Sequence, residues 1–134
     1  MILGYRDLID AFYRACNAGQ AEAAVALYAE DGAHVEAASG QSRQGHEALL
    51  QGLRGFLGML DGLRFETARP VRAGAKVVVP YVMHGVMTRD LGPMQPRGQI
   101  IALHGVHLFE IAEGRIVQTT DFWDLDDLKA QVAA

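Results

Sequence analysis

Apolar residues fall at helical spacing in the first third of the chain and at strand spacing in most of the remainder. Leu8, Ile9, Phe12, Tyr13 and Cys16 form one stripe of a helix that Gly19 ends. Ala23, Ala24, Leu27 and Tyr28 predict a second short helix, stopped by Asp31-Gly32. Residues 34–38 are β-compatible, and 39–45 form a polar turn. Leu49, Leu53, Phe56, Leu57 and Leu60 predict a third helix. Its internal Gly52, Gly55 and Gly58 weaken it, so packing must hold it. Beyond Gly62, residues 63–71, 76–88, 99–111 and 115–123 are four strand-like runs. Pro80 lacks a ladder donor and should lie at an edge or bulge of its strand. Residues 90–96 are a Gly/Pro loop suited to covering a sheet end. LDDLKAQV is a short closing helix with Asp124 as its cap. Helices followed by strands give an α+β fold, a curved antiparallel sheet packed on three N-terminal helices with a short C-terminal helix.

The hairpin HGVHLFEIAEGRIVQTTDFWD carries the candidate chemistry. With Gly114 as the left-handed residue of a three-residue loop (112–114), Ile111 closes onto Arg115 and paired numbers sum to 226. His107, Thr119, Asp121 and Trp123 then share a face with Phe109, Ile111 and Val117. His107 and Asp121 become diagonal neighbours, roughly 7–8 Å apart. Gly105 leaves space opposite the Asp121 carboxylate. A two-residue turn would instead send His107 and Asp121 to opposite faces. A carboxylate in an apolar concavity is expected to have a raised pKa and to suit acid/base work. The plainer reading makes Asp121 an exposed cap and His107 a satisfied core residue. Asp124 is the better cap, which frees Asp121.

The 134 residues suit one domain spanning 1–134, with 50% hydrophobic and 21% charged residues, ordinary for a globular fold. The net charge of -4 is not organised into a basic run, so nucleic acid and anionic membranes are poor partners. The single Cys16 excludes an internal disulfide and suits an inert core thiol. No apolar run reaches a membrane span, and MILGYRDLID has neither a basic start nor a cleavage site, so a cytoplasmic location is expected. The five histidines show no ligand spacing: His104 and His107 point to opposite faces, and His34, His46 and His84 are scattered, so no metal is expected. GPMQPRG has no following helix and is not a phosphate loop. Tyr81, Met83, Met87 and Trp123 are cavity or plain core. His84 faces the pocket or away from it, depending on where Pro80 breaks the alternation.

Three strings carry a family resemblance. CNAGQAEAAVALYAEDGAHVE, the run GHEAL and VHLFEIAEGRIVQTTDFWDLDDLKAQV resemble the opening, third-helix start and ending of the nuclear-transport-factor-2-like superfamily. The last string resembles its SnoaL-like polyketide cyclase and ketosteroid-isomerase-like branch. The resemblance implies a cone-shaped sheet with a deep pocket, and a scaffold that hosts enzymes and binders alike. The ketosteroid isomerase base would follow Val35-Glu36, where Ala37 stands. Its tyrosine falls on Phe12, with Tyr13 one position off, and its protonated aspartate falls on His107. The limonene-epoxide-hydrolase acid falls on Asp121, but its Arg and second Asp are missing. The polyketide-cyclase pair matches Asp121 and His107.

The resemblance and the register together imply a cofactor-independent acid/base enzyme for a small hydrophobic carbonyl compound. It would be cyclase-like or isomerase-like, with Asp121 as acid/base and His107 as its partner. Phe12, Tyr13, Tyr81, Met83, His84, Phe109, Thr119 and Trp123 would contact substrate. The rival is a non-catalytic binder of a small hydrophobic ligand, with an epoxide hydrolase as the lesser alternative. Val106, Leu108, Ile116 and Phe122 on the opposite hairpin face predict a homodimer.

Overall fold

The computed structural model describes residues 4–134; residues 1–3, where the N-terminal stretch scanned for a leader begins, lie outside them. The chain runs α1 (Tyr5–Asn17), α2 (Ala21–Val25), β1 (Tyr28–Glu36), β2 (Ser42–Gln44), α3 (His46–Leu57), β3 (Asp61–Thr67), β4 (Val71–Ala73), β5 (Lys76–Val86), β6 (Ile100–Ala112), β7 (Arg115–Trp123) and α4 (Leu125–Ala133). This is the expected α+β architecture, a curved open sheet with helices packed on it. The strands lie in the order β2-β1-β7-β6-β5-β3, and β4 joins β5. Every pairing is antiparallel except β1 with β7, which is parallel and corrects the purely antiparallel expectation. That one pairing sets the first strand directly beside the last.

The second helix is shorter than its apolar spacing suggests. Ile116 donates its N–H to the Leu27 carbonyl at 3.0 Å, and Tyr28 is the ladder partner of Ile116. Pairing with β7 therefore takes Leu27 and Tyr28 out of the helix. The run 63–71 also divides, into β3 and β4, at Ala68-Arg69-Pro70. Pro80 sits opposite this gap, between the last β4 partner Val78 and the first β3 partner Tyr81. Its carbonyl accepts from the Ala68 N–H at 2.8 Å, so the donor it lacks would have pointed into the gap. No bulge is needed: β5 pairs with β6 without a slip from Lys76↔Glu110 to Val86↔Ile100. Tyr81 and Met83 consequently face the helices, and His84 faces outward.

The β6–β7 turn has two residues, not three. Ala112 pairs with Arg115, and Glu113 (φ 54) and Gly114 (φ 72) both take the left-handed conformation of a type I′ turn. Alone, this would have put His107 and Asp121 on opposite faces. A bulge reverses it: Ile111 pairs with Ile116 but Glu110 with Gln118, leaving Val117 as the extra residue. Beyond the bulge the paired numbers sum to 228, and parity is restored. Ile116 is buried and Val117 exposed, the reverse of the expected faces.

The core lies between α1 and the sheet, where Leu8, Ile9, Phe12 and Tyr13 pack with Val77, Val79 and Phe109. Burial pushes the Cys16 thiol up to about 12, which makes it inert. Asp124 caps α4, its side chain accepting from the Asp126 N–H at 2.9 Å. Among the described residues no helix is long and apolar enough to cross a membrane.

Candidate functional site

On the helix-facing side of the sheet, ladder partners line up in rows. One row runs Glu36, Asp121, His107, Val79 across β1, β7, β6 and β5. The next runs Arg43, His34, Thr119, Phe109 across β2, β1, β7 and β6. On the other side of the first row lie Trp123, Gly105 and Tyr81. His107 thus faces Asp121 directly rather than diagonally.

The Glu36, Asp121 and His107 end of the first row, with Arg43, His34 and Trp123, forms the floor of a cavity of about 420 Å³, roofed by Phe12 and Cys16 of α1 and by Leu49, Leu53 and Phe56 of α3. His107, Asp121, His34, Glu36 and Trp123 also line it, and Ser39, Gln41 and Arg43 stand on the β1–β2 side. The remaining expected contacts are placed otherwise. Tyr13, Tyr81 and Thr119 stand behind the lining and bond to it. Phe109 and Met83 are core, and Phe109 meets Phe12 edge-on at 5.3 Å between ring centroids. His84 is not among the cavity residues; its Nε2 lies 3.3 Å from Glu66 on the outer face, because β5 keeps its alternation through Pro80.

The Asp121 side chain is almost fully buried. Tyr81 donates its O–H to Oδ1 at 2.6 Å, and His107 Nε2 lies 3.5 Å from Oδ2. Gly105 makes the first contact possible. A Cβ there would collide with the Tyr81 phenol, so the space expected in front of Asp121 is filled by Tyr81. Burial pushes the Asp121 carboxyl up, but the positive field of His107, the hydrogen bonds from His107 and Tyr81, and the charge of His34 outweigh it. The group therefore lies below its ordinary value, the opposite of the expected rise. The apolar wall alone suggested that rise; the donors behind it reverse the sign. An ionised Asp121 accepts only, so His107 carries its proton on Nε2. His107 Nδ1 lies 2.7 Å from the Tyr13 hydroxyl. Burial raises the Tyr13 and Tyr81 hydroxyls well above their usual range, so both stay protonated.

Glu36 and His34 form a second carboxylate–imidazole pair in the same cavity, one the sequence reading did not assign. His34 Nε2 lies 2.7 Å from Glu36 Oε1, and Trp123 donates its indole N–H to Oε2 at 2.8 Å. His34 Nδ1 is 2.6 Å from Thr119 Oγ1, itself 2.6 Å from the Tyr28 hydroxyl. Thr119 has the partners of a triad nucleophile but is wholly buried and does not line the cavity, so it anchors the His34 ring. The signal available was the i, i+2 spacing of His34 and Glu36, which puts both on one face of a strand. Their approach to Asp121 depends on the parallel β1–β7 register.

Donor atoms of His34, Glu36 and Asp121 lie within 4.8 Å of one another, the one such group among the described residues close enough to share a metal ion. The scattered histidine spacing gave no hint of it, because two of the three donors are carboxylates on neighbouring strands.

Residues 9–119 match the family described as the SnoaL-like domain. Among solved structures, the chain is similar to a candidate polyketide cyclase of Xanthomonas campestris pv. campestris, with 30% identity, TM-score 0.81 and 95% of each chain covered. A candidate polyketide cyclase of Pseudomonas putida KT2440 shares 26% identity and TM-score 0.77, over 92% of this chain and 94% of that one. A protein of ketosteroid-isomerase-like fold from Catenulispora acidiphila DSM 44928, solved in complex with trimethylamine, shares 20% identity and TM-score 0.81, over 95% and 92%. No curated protein sequence matches the chain at a significant level.

Proposed function

Because the chain belongs to the SnoaL-like domain family, we propose that it is a cofactor-independent acid/base enzyme acting on a small hydrophobic carbonyl compound, as a cyclase or isomerase. The observation that carries this reading is a buried, ionised Asp121 on the wall of an apolar cavity, beside His107. Its apolar walls suit a ring system or alkyl body, and His34, Glu36, His107 and Asp121 supply polar groups to orient it.

In this reading Asp121 takes the proton α to the substrate carbonyl. The C–H bond breaks, the proton passes to the carboxylate, and the electron pair moves to the carbonyl oxygen as an enolate. In a cyclase the enolate carbon attacks a second carbonyl, closing the ring, and the proton returns to the resulting alkoxide. In an isomerase the proton returns at another carbon of the conjugated system. His107 and Tyr81 fix the carboxylate between them, and Tyr13 fixes the His107 ring. Glu36 supplies a second acid in the cavity. The epoxide-hydrolase alternative still lacks its Arg–Asp pair on β5, where Tyr81 to His84 stand.

One observation favours the rival binder: Asp121 already has Tyr81 and His107 as partners, an arrangement that also serves to orient a guest. A screen of carbonyl and epoxide compounds with wild type and Asp121→Asn separates the two. The expected result is a turned-over carbonyl compound whose rate falls by ~10²-fold or more in Asp121→Asn. A variant within about threefold of wild type, well short of that ~10²-fold loss, removes Asp121 as the base. Equal binding by both proteins without conversion establishes the binder.

A further inference from the structure

Two carboxylates, Glu36 and Asp121, occupy the floor of the cavity, and one cationic side chain other than histidine lines it: Arg43. Arg43 lies on the edge strand β2, directly across the ladder from His34. It is exposed, whereas Asp121, two strands further in, is buried. At a strand spacing of ~4.8 Å, this places the cation on the order of 10 Å from the buried acid.

The Arg43 side chain is held in place. It lies against Gly52 of α3, where a Cβ would collide with its Cδ and Nε. Its Nη1 reaches the Ala48 carbonyl at 3.5 Å, the limit of a hydrogen bond. Among the described residues no carboxylate lies within ion-pair distance of it. The cavity wall is thus electrically polarised, with the buried Asp121 at its inner end, the half-buried Glu36 between, and an unneutralised guanidinium at the open edge. A guanidinium fork is suited to a carboxylate or another planar oxyanion.

We infer that Arg43 forms an anion subsite at the cavity edge, and that the ligand is an amphiphile about 10 Å long, with an apolar body and a carboxylate or comparable oxyanion turned outward to Arg43. The two floor carboxylates repel the opposite orientation. The inference rests on the cavity being the small-molecule site proposed above, but not on catalysis.

The test uses two probes of equal shape, 2-naphthaleneacetate and 2-naphthaleneacetamide, titrated against the intact protein. Binding is read from the fluorescence of Trp123, the one tryptophan of the chain and a cavity residue. The acetate should bind about three- to fivefold tighter than the amide, the range of a solvent-exposed ion pair. Added salt should erode that preference. Arg43→Gln should abolish the preference by weakening the acetate far more than the amide, and Arg43→Lys should keep part of it. Gly52→Ala, which displaces the Arg43 side chain, should behave like Arg43→Gln with a thermal transition no lower than that of wild type, because alanine favours the helix. Equal binding of both probes by wild type, or an unchanged preference in Arg43→Gln, overturns the subsite and leaves the cavity reading intact. Failure of both probes to bind overturns the cavity reading and the subsite with it.

Discussion

Asp121 shows how much a single side chain depends on what stands behind it. Apolar surroundings alone would keep it neutral, whereas the Tyr81 hydroxyl and the His107 ring keep it ionised. Its folded-state pKa lies below the unfolded value of ~3.9, so the stability it contributes is present above that pH and is lost as pH falls through the folded value. Tyr81→Phe removes the Oδ1 donor and raises the carboxyl towards its ordinary range. The variant should lose roughly 1.5–3 kcal/mol at pH 7, typical of a hydrogen bond to a charged group. It should lose less once the pH is below the folded value of the wild type. Urea unfolding at pH 7 and at a series of lower pH values measures both; a cost independent of pH would mean that Tyr81 is only a packing residue. With a substrate in hand, the acid limb of kcat/KM should lie below the ordinary carboxylate range in wild type and move up in Tyr81→Phe.

The hairpin shows the same dependence for a whole element. The Glu113-Gly114 turn and the Val117 bulge each shift the β6–β7 register by an odd step, and only together do they bring His107 and Asp121 onto one face. Deleting Val117 should therefore be far worse than mutating it. Residues 118–123 would have to turn the buried Thr119 and Asp121 outward, or else lose their pairing. The deletion should abolish a cooperative thermal transition. Val117→Thr, at an exposed position, should stay within about 0.5 kcal/mol of wild type. A deletion variant that melts like wild type would show that the bulge does not set the register.

Across the molecule, the two faces of the sheet have different uses. The helix-facing side builds the cavity; the outer side leaves Ile100, Phe122, Val117 and Val78 exposed. Ile116, expected on that outer face, is buried beneath the bulge instead. An apolar outer sheet face supports the homodimer expected from the hairpin pattern, and we keep it as a proposal. Light scattering at tens of micromolar should give the mass of two chains, and Phe122→Glu should shift it to one. A monomer mass for the wild type would remove the dimer.

Fold class, the strand 115–123, most of the expected strand 76–88 (β5 ends at Val86) and the α4 cap were legible in the sequence, which also pointed to Asp121 and His107 as candidates. They follow from local properties: period, capping chemistry, turn residues and motif resemblance. The shared face of His107 and Asp121 was also reached, but through a three-residue loop where the chain uses a two-residue turn and a bulge. Nothing local marks Val117 as the residue left out of the ladder. The outward aim of His84 became fixed only when the break between β3 and β4 absorbed the missing donor of Pro80. The partners of Asp121 needed tertiary structure for the same reason. Tyr81, Glu36 and His34 reach the site through the pairing of strands far apart in the chain, above all the parallel β1–β7 ladder. Sequence periodicity records which face a residue takes within its own strand; it does not record which strand lies alongside.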